Sequence, residues 1–434
     1  MQSTPAPTKP TVNQVPSNAR RKVIWFAVTL AILAYIDRVC ISMAAPDISR
    51  DLGLDKSQMG LVFGAFAVAY ALFEIPGGWL GDLMGPRKVL MRIVIWWSFF
   101  TAATGWMFNY WSMLATRFLF GAGEAGCFPN ITKAFSTWLP LSERVKAQGI
   151  LWMAARWGGA FTPPLVVWIF RIMDWRSAFM VFGAVGVVWA VFFYRWFRDN
   201  PQEHPEVNAA ERELIARTAH PASGHGDVPW RRLLTSRTVW LLWLQYFFLS
   251  FPWYFYPTWL PTYLREYHHL DQDMTAYYAV LPLFMGGLGS LTCGYLSSWV
   301  ARRFNDIGKS RRVISTAGFG GAAVMMYLAI QMENPLLVML GLGLSSFCND
   351  LVMPNAWGAC MDVGGKYAGT LSGSMNMMGN IAGFAAPYFG GRLLKATNDD
   401  WNLFITIMAS VYLLGMLAWP FIDPITPLED SKEH

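Results

Sequence analysis

Charge is what this sequence has little of. Only 14% of its 434 residues are Asp, Glu, Lys or Arg, against roughly 25% in soluble domains. So few charges do not cover a water-facing surface of this length, and a mean hydropathy of +0.31 agrees. Cysteine is scarce too. Cys40, Cys127, Cys293, Cys348 and Cys360 all lie in apolar stretches and form no C-x-x-C pair, which argues against a disulfide framework or a zinc site. Histidine is missing from the apolar stretches altogether, since His204, His220, His225, His268, His269 and His434 fall in connections and tails. There is no P-loop, H-E-x-x-H or G-x-S-x-G, so neither an ATP-driven pump nor an enzyme is expected, and no cofactor or metal is called for. The polar, Pro-rich start lacks a short apolar segment with a small-residue cleavage site, so no removable signal peptide is expected.

Hydrophobic length is what the sequence has. Apolar stretches run at about 23–46, 59–80, 88–109, 111–138, 146–170, 176–197, 238–263, 275–300, 312–331, 335–360, 367–391 and 401–422, each near the 20 or so residues that cross a bilayer as helix. The fold class expected is an all-α polytopic membrane protein with twelve transmembrane helices in two six-helix halves. A disordered tail at 1–21, a first half at 22–197, a linker at 198–237, a second half at 238–422 and a tail at 423–434 follow. The Glu-rich stretch from Glu206 to Arg217 suits a short surface helix.

Lys and Arg set the orientation. With the N-terminus inside, cytoplasmic segments hold 23 of the 34 basic residues and outer loops 7. Both termini are then cytoplasmic, and the net charge of +6 needs no nucleic-acid partner. Arg38, Arg117, Lys133 and Arg156 remain inside spans; Lys133 is near enough to the cytoplasmic end to snorkel.

After the second span comes Gly78-Trp-Leu-Gly81-Asp82-Leu-Met-Gly85-Pro-Arg87-Lys88. Its glycines allow close helix approach, and Asp82, Arg87 and Lys88 offer a charge latch, a gating element. The stretch resembles the G-x-x-x-D-x-x-G-x-R-K loop of the major facilitator superfamily. A degraded copy follows the eighth span, where Ser298 stands in the place of Asp82 beside Gly294, Arg302, Arg303, Arg311 and Arg312. A latch there needs its acidic member from elsewhere. Tyr35-Ile-Asp37-Arg38, the run from Tyr70 to Gly78, Arg117 to Pro129 with Gly121, Gly123 and Glu124, and Trp259-Leu-Pro261-Thr-Tyr263 resemble the anion:cation symporter branch. That branch includes bacterial galactonate- and hexuronate-type sugar-acid:proton symporters and, more distantly, vesicular glutamate transporters and sialin.

Charges inside a bilayer are costly and functional by default. Arg38 and Arg117 lie at similar depth, where two guanidiniums could clamp a carboxylate or each neutralise Asp37 or Glu124. Glu124 follows Arg117 by about two turns on one face, with Gly121, Gly123 and Gly126 expected to leave room around it. The resemblance implies substrate contact for both arginines and for Tyr70, and proton handling for Asp37 and Glu124. It also implies neutral hydroxyl-binding groups in the second half, for which Gln245, Tyr254, Asn355, Trp357, Ser372 and Asn376 are candidates. Arg156 and Asp350 depart from that pattern; either they pair across the bundle or Arg156 adds a further positive group for substrate. Glu74 beside Pro76 is a gating candidate or a residue reaching the interface. The function so implied is proton-coupled uptake of a small organic anion, a sugar acid first, driven by the proton gradient. The alternatives are a carrier of aromatic or other carboxylates on the same fold, or a non-transporting sensor. A monomer in a bacterial inner membrane is expected, its partners being lipid, protons and the anion.

Overall fold

The structure, a computed structural model, describes residues 15–217 and 228–428, and only the backbone of Gln272 and Asp273. The disorder expected of the N-terminal tail lies, for residues 1–14, outside the described residues, as do residues 429–434 of the C-terminal tail.

Every described element is helical, as backbone in hydrocarbon requires, since only intrahelical hydrogen bonds can satisfy its polar groups there. The first half contains α1 (Ala19–Leu52), α2 (Lys56–Met84), α3 (Pro86–Thr104), α4 (Tyr110–Glu124), α5 (Cys127–Trp138), α6 (Leu141–Phe170) and α7 (Trp175–Trp196). The linker carries α8 (Ala209–Ala216) and α9 (Trp230–Thr235). The second half contains α10 (Arg237–Trp253), α11 (Phe255–Thr258), α12 (Leu260–Glu266), α13 (Gln272–Phe304), α14 (Ile307–Ala329), α15 (Pro335–Gly364), α16 (Ala368–Thr397) and α17 (Trp401–Ala418). Helix starts follow the polar connections. Asp55 and Gln58 form a capping box on α2, Asn109 and Ser112 one on α4, and Asp306, Asn334 and Asp400 cap α14, α15 and α17. The Glu-rich linker stretch does contain a helix, α8.

The fourth and seventh spans are broken, which their hydropathy does not reveal. Gly126 takes φ 81° between α4 and α5, a left-handed conformation that favours glycine. A Cβ there would meet the Gly77 backbone at 2.6 Å. The Asn130 amide donates to the carbonyls of Gly77 and Gly126, both at 2.8 Å. The break is therefore held by α2 rather than by local sequence, and it leaves Glu124 as the last residue of α4. The seventh span divides at Tyr254 and Trp259 into α10, α11 and α12.

The halves meet chiefly along two seams, α2 against α16 and α6 against α13. Each relies on backbone contact at glycine. Gly78 of the motif lies against the Gly369 backbone, and a Cβ added to Gly294 of the degraded copy would lie 3.0 Å from the Lys146 Cα. The two copies of the motif thus serve equivalent seams. Among the described residues, the hydrogen bonds found between halves run from the end of the bundle that carries the termini up to mid-bundle.

The linker folds back on the first half. Glu211 accepts from the backbone of Ala19 and Arg20 at 3.0 and 3.1 Å, from the Arg20 guanidinium at 2.9 Å and from the Ser17 hydroxyl. Arg20 also pairs with Glu143 of α6 at 2.9 Å.

Candidate functional site

Between the halves, beyond the terminus-side seal, is a cavity of about 80 Å³. The first half lines it with Tyr35, Arg38, Tyr70, Phe128, Trp152 and Arg156, and the second with Tyr246, Ser250, Trp253, Tyr254, Asn349, Asn376 and Asn380, among others. Arg38 is its principal charge. Its Nε donates to Glu124 at 2.7 Å, and its side chain remains 22% exposed while that of Glu124 is wholly buried. Four rings surround the guanidinium, with Tyr70 at 4.6 Å, Phe66 at 5.5 Å, Tyr35 at 5.6 Å and Phe128 at 5.8 Å. Cation–π contact offsets part of the cost of keeping the charge there.

Arg156 and Asp350 pair across the halves through two bonds of 2.7 and 2.9 Å, the first of the two arrangements expected of them. Arg156 still edges the cavity, stacked 4.1 Å from the Trp253 ring, but its charge is matched. Arg38, bound to Glu124 through Nε, keeps its Nη2 without a hydrogen-bond partner.

The cavity wall is rich in buried donors. Arg38 Nη2, Asn380 Nδ2, Trp152 Nε1 and Trp253 Nε1 have no hydrogen-bond partner, against one such acceptor on the wall, Asn349 Oδ1. Buried polar groups are ordinarily paired, so a wall of free N–H groups suits a ligand that accepts.

Not every candidate reaches this cavity. Arg38, Tyr70, Arg156, Tyr254 and Asn376 line it. Arg117 does not share a clamp with Arg38; it is buried, 4.2 Å from the Phe120 ring, with Nε and Nη1 unpartnered. Asp37 is in Coulombic range of Arg117 and Glu124 and is buried as well. Gln245 instead donates to the Leu242 carbonyl and accepts from Trp419. Trp357 donates to the Tyr246 hydroxyl at 3.1 Å, so it orders a cavity residue rather than lining the wall. Asn355 accepts from Ser297, and Ser372 donates to the Ala368 carbonyl. The glycines around Glu124 leave no open space: Gly121 packs on the Phe66 backbone and Gly123 on the Trp96 ring. Tyr35, Asn349 and Asn380 were missed. Asn380 lies one turn beyond Asn376, and that i, i+4 spacing was the available signal.

The terminus-side seal is built differently from a latch within the motif. Asp82 accepts from the Gly369 and Thr370 amides at 3.0 and 2.6 Å and from the Thr370 hydroxyl at 2.7 Å. It caps the N-terminus of α16 from the opposite half, where a carboxylate is favoured. Among the described residues no ion pair joins Asp82 to Arg87 or Lys88. Arg87 donates to the Tyr194 carbonyl at 3.1 and 2.7 Å, and its amide donates to Asp199. Lys133 does not snorkel; it is buried, donates to the Lys366 carbonyl at 2.6 Å and lies 3.6 Å from Asp82. The acid lacking at Ser298 is supplied by Asp362 of α15, which pairs with Arg144 of the other half and with Arg311 at 2.5 Å.

A model of the Major Facilitator Superfamily matches residues 27–387. The probable sulfoacetate transporter of Cupriavidus necator is 36% identical, over 95% of this chain and 96% of its own. The probable L-galactonate transporter of Escherichia coli is 28% identical, over 93% of this chain and 89% of its own. A solved proton:xylose symporter superposes with a TM-score of 0.74 at 14% identity, over 95% of this chain and 98% of its own, a likeness of fold. Twelve spans, two six-helix halves, the glycine seams and a match along most of its length agree, and the chain belongs to the Major Facilitator Superfamily as a membrane transporter, not an enzyme.

Proposed function

We propose that the protein is a proton-coupled symporter of a small organic anion, a sugar acid first, taken up by alternating access. The observation that carries this reading is the donor-rich wall around Arg38. The guanidinium offers an anionic headgroup paired N–H···O bonds, while Ser250, Asn376, Asn380 and Tyr254 suit hydroxyls. Because Arg38 is bound to Glu124 at 2.7 Å, an anion competes with that carboxylate. A proton on Glu124 frees the guanidinium for substrate, and substrate on Arg38 favours the proton on Glu124, so the two ligands bind with reciprocal gain. With the termini cytoplasmic, the sealed side faces the cytoplasm. Asp37 of α1 and Arg117 of α4, both buried, adjust the charge around Glu124. Localisation to a bacterial inner membrane, as a monomer, is part of the reading.

A short sulfonate is the second reading. It is favoured by the relative named for sulfoacetate, at 36% identity, and by the small cavity. Proteoliposome uptake of galactonate, glucuronate, glucarate, sulfoacetate and an aromatic acid, with and without an inward proton gradient, tests both. Gradient-driven accumulation of a sugar acid is the expected result; accumulation of sulfoacetate alone replaces the substrate; binding without flux of any compound leaves a sensor. Glu124→Gln is expected to lose gradient-driven accumulation and retain substrate exchange.

A further inference from the structure

Glu74 of α2 lies at the floor of the cavity. It is one turn below Tyr70, which lines the wall, and is wholly buried. Its Oε1 accepts from the Asn376 amide of the opposite half at 2.6 Å, and its Oε2 has no partner. Gly373 of α16 packs on its backbone carbonyl, where a Cβ would be 2.8 Å away. The groups facing it are Arg38 from α1, Glu124 from α4, Cys127 from α5 and Tyr70 on its own helix; α16 presents the neutral Asn376.

Charge counting leaves one proton to place, and the bond across the two halves points to Glu74. The cluster holds the buried carboxyls of Asp37, Glu74 and Glu124, the buried guanidinium of Arg117 and the partly exposed one of Arg38. Three acids against two bases leave one negative charge in excess when all ionise. An unmatched buried charge is costly and is relieved by protonation. Glu124 is ion-paired with Arg38; among the described residues neither Asp37 nor Glu74 has an ion pair, and Asp37 has Arg117 of its own half in Coulombic range. Glu74 is bonded to the neutral Asn376 amide of the opposite half, with the Gly126 backbone amide beside it and Arg38 in Coulombic range.

We propose that Glu74 is a second proton carrier of the transport cycle, protonated while its hydrogen bond to Asn376 holds the halves together and discharged when they part. The inference rests on the proton-coupled reading above. Opening the terminus side separates α2 from α16, breaks the Glu74–Asn376 bond and admits water to the carboxyl, which then ionises toward the cytoplasm. A monoanion bound at Arg38 adds one negative charge, which the proton on Glu124 balances. Two protons therefore accompany each monoanion, one on Glu124 and one on Glu74, and each cycle carries one net positive charge inward.

The test is the plateau accumulation ratio in proteoliposomes, which depends on stoichiometry and not on rate. At a pH difference of one unit, loss of one coupled proton lowers that ratio about tenfold. Glu74→Gln is expected to show this fall and to lose the response to an inside-negative potential, while Glu74→Asp, which keeps a carboxyl, holds the wild-type plateau. A wild-type plateau in Glu74→Gln, or a lowered one in Glu74→Asp, overturns the role of Glu74 and leaves proton coupling intact. A wild-type plateau that ignores the pH gradient overturns the proton-coupled reading and this inference with it. Should Glu74→Gln not reach the membrane folded, the Glu74→Asp plateau and the wild-type response to potential decide the matter: no response to potential overturns the proposal.

Discussion

Arg156 of α6 and Asp350 of α15 meet across the two halves through a double hydrogen bond, 2.7 and 2.9 Å, with both side chains almost wholly buried. Asn349 adds a third bond to the same carboxylate at 2.8 Å. The pair fixes a matched charge at the cavity wall, whereas Arg38 keeps a free Nη2 there, which is why the proposed function gives the anion to Arg38.

Breaking that pair on one side strands the other charge. Removing one partner of a buried ion pair costs about 3–5 kcal/mol, whereas replacing both by apolar residues is often neutral. Asp350→Asn is expected to lower the melting temperature in detergent clearly, and Arg156→Met with Asp350→Leu to recover most of the loss. A single variant as stable as the wild type would show that the pair carries no such burden.

The two arginines of the first half are expected to separate in kinetics. Arg38 edges the cavity with a free Nη2, and Arg117 does not line it. Lysine keeps the charge but loses the fork geometry. Arg38→Lys should raise the KM for the transported anion more than about tenfold, since each tenfold corresponds to about 1.4 kcal/mol and charge-assisted bonds are worth that or more. Arg117→Lys should leave KM within about threefold and act on proton dependence instead. Equal losses of affinity in the two variants would restore a shared clamp.

How far the sequence reaches is visible in these same residues. Twelve apolar lengths and the long linker gave the two halves, because a bilayer imposes a length on every span. Depth was readable from the rise per residue, so Arg38 and Arg117 could be set at one level. Which way each side chain turns was not, since neighbouring helices decide it: Arg117 turns toward Phe120 and Arg38 into a ring of four aromatics. The break at Gly126 was hidden for the same reason, because Gly77 of α2 imposes it. The partners of Asp82 lie 287 and 288 residues away, and no local motif announces that a loop acid will cap a helix of the other half.

That cap makes Asp82 a direct test of the seal. Asp82→Ala removes three accepted hydrogen bonds at the start of α16, and losing a cap costs about 0.5–2 kcal/mol. The sealed state then loses ground to the state open at the terminus side. Cys360 of α15 is buried against α16, the helix that Asp82 caps, with its Sγ 3.3 Å from the Met375 sulfur. In a protein retaining only that cysteine, Asp82→Ala should speed its alkylation about tenfold. An unchanged rate would mean that Asp82 does not hold the halves together.

Outside the membrane the linker clamp should release in acid. Burial pushes the Glu211 carboxyl up, but hydrogen bonds from Ser17, Arg20 and Ala19 outweigh it and hold the group below the usual glutamate range. A carboxyl whose pKa is depressed by folding adds stability that is complete above its unfolded value and is lost as pH falls through the folded one. The clamp on α1 is therefore expected intact at neutral pH, to begin weakening near the ordinary glutamate value of about 4.3, and to be undone only as the pH falls further, through the depressed folded-state value. Amide hydrogen exchange across residues 209–216, followed from pH 7 downward with correction for intrinsic rates, reads this directly. Protection should fall with acid in the wild type and be low at every pH in Glu211→Gln, which keeps the shape but loses the charge-assisted bonds to Arg20. Protection that is equal in the two proteins at neutral pH would show that the linker helix is held by packing of Ile215 and its neighbours rather than by the carboxylate.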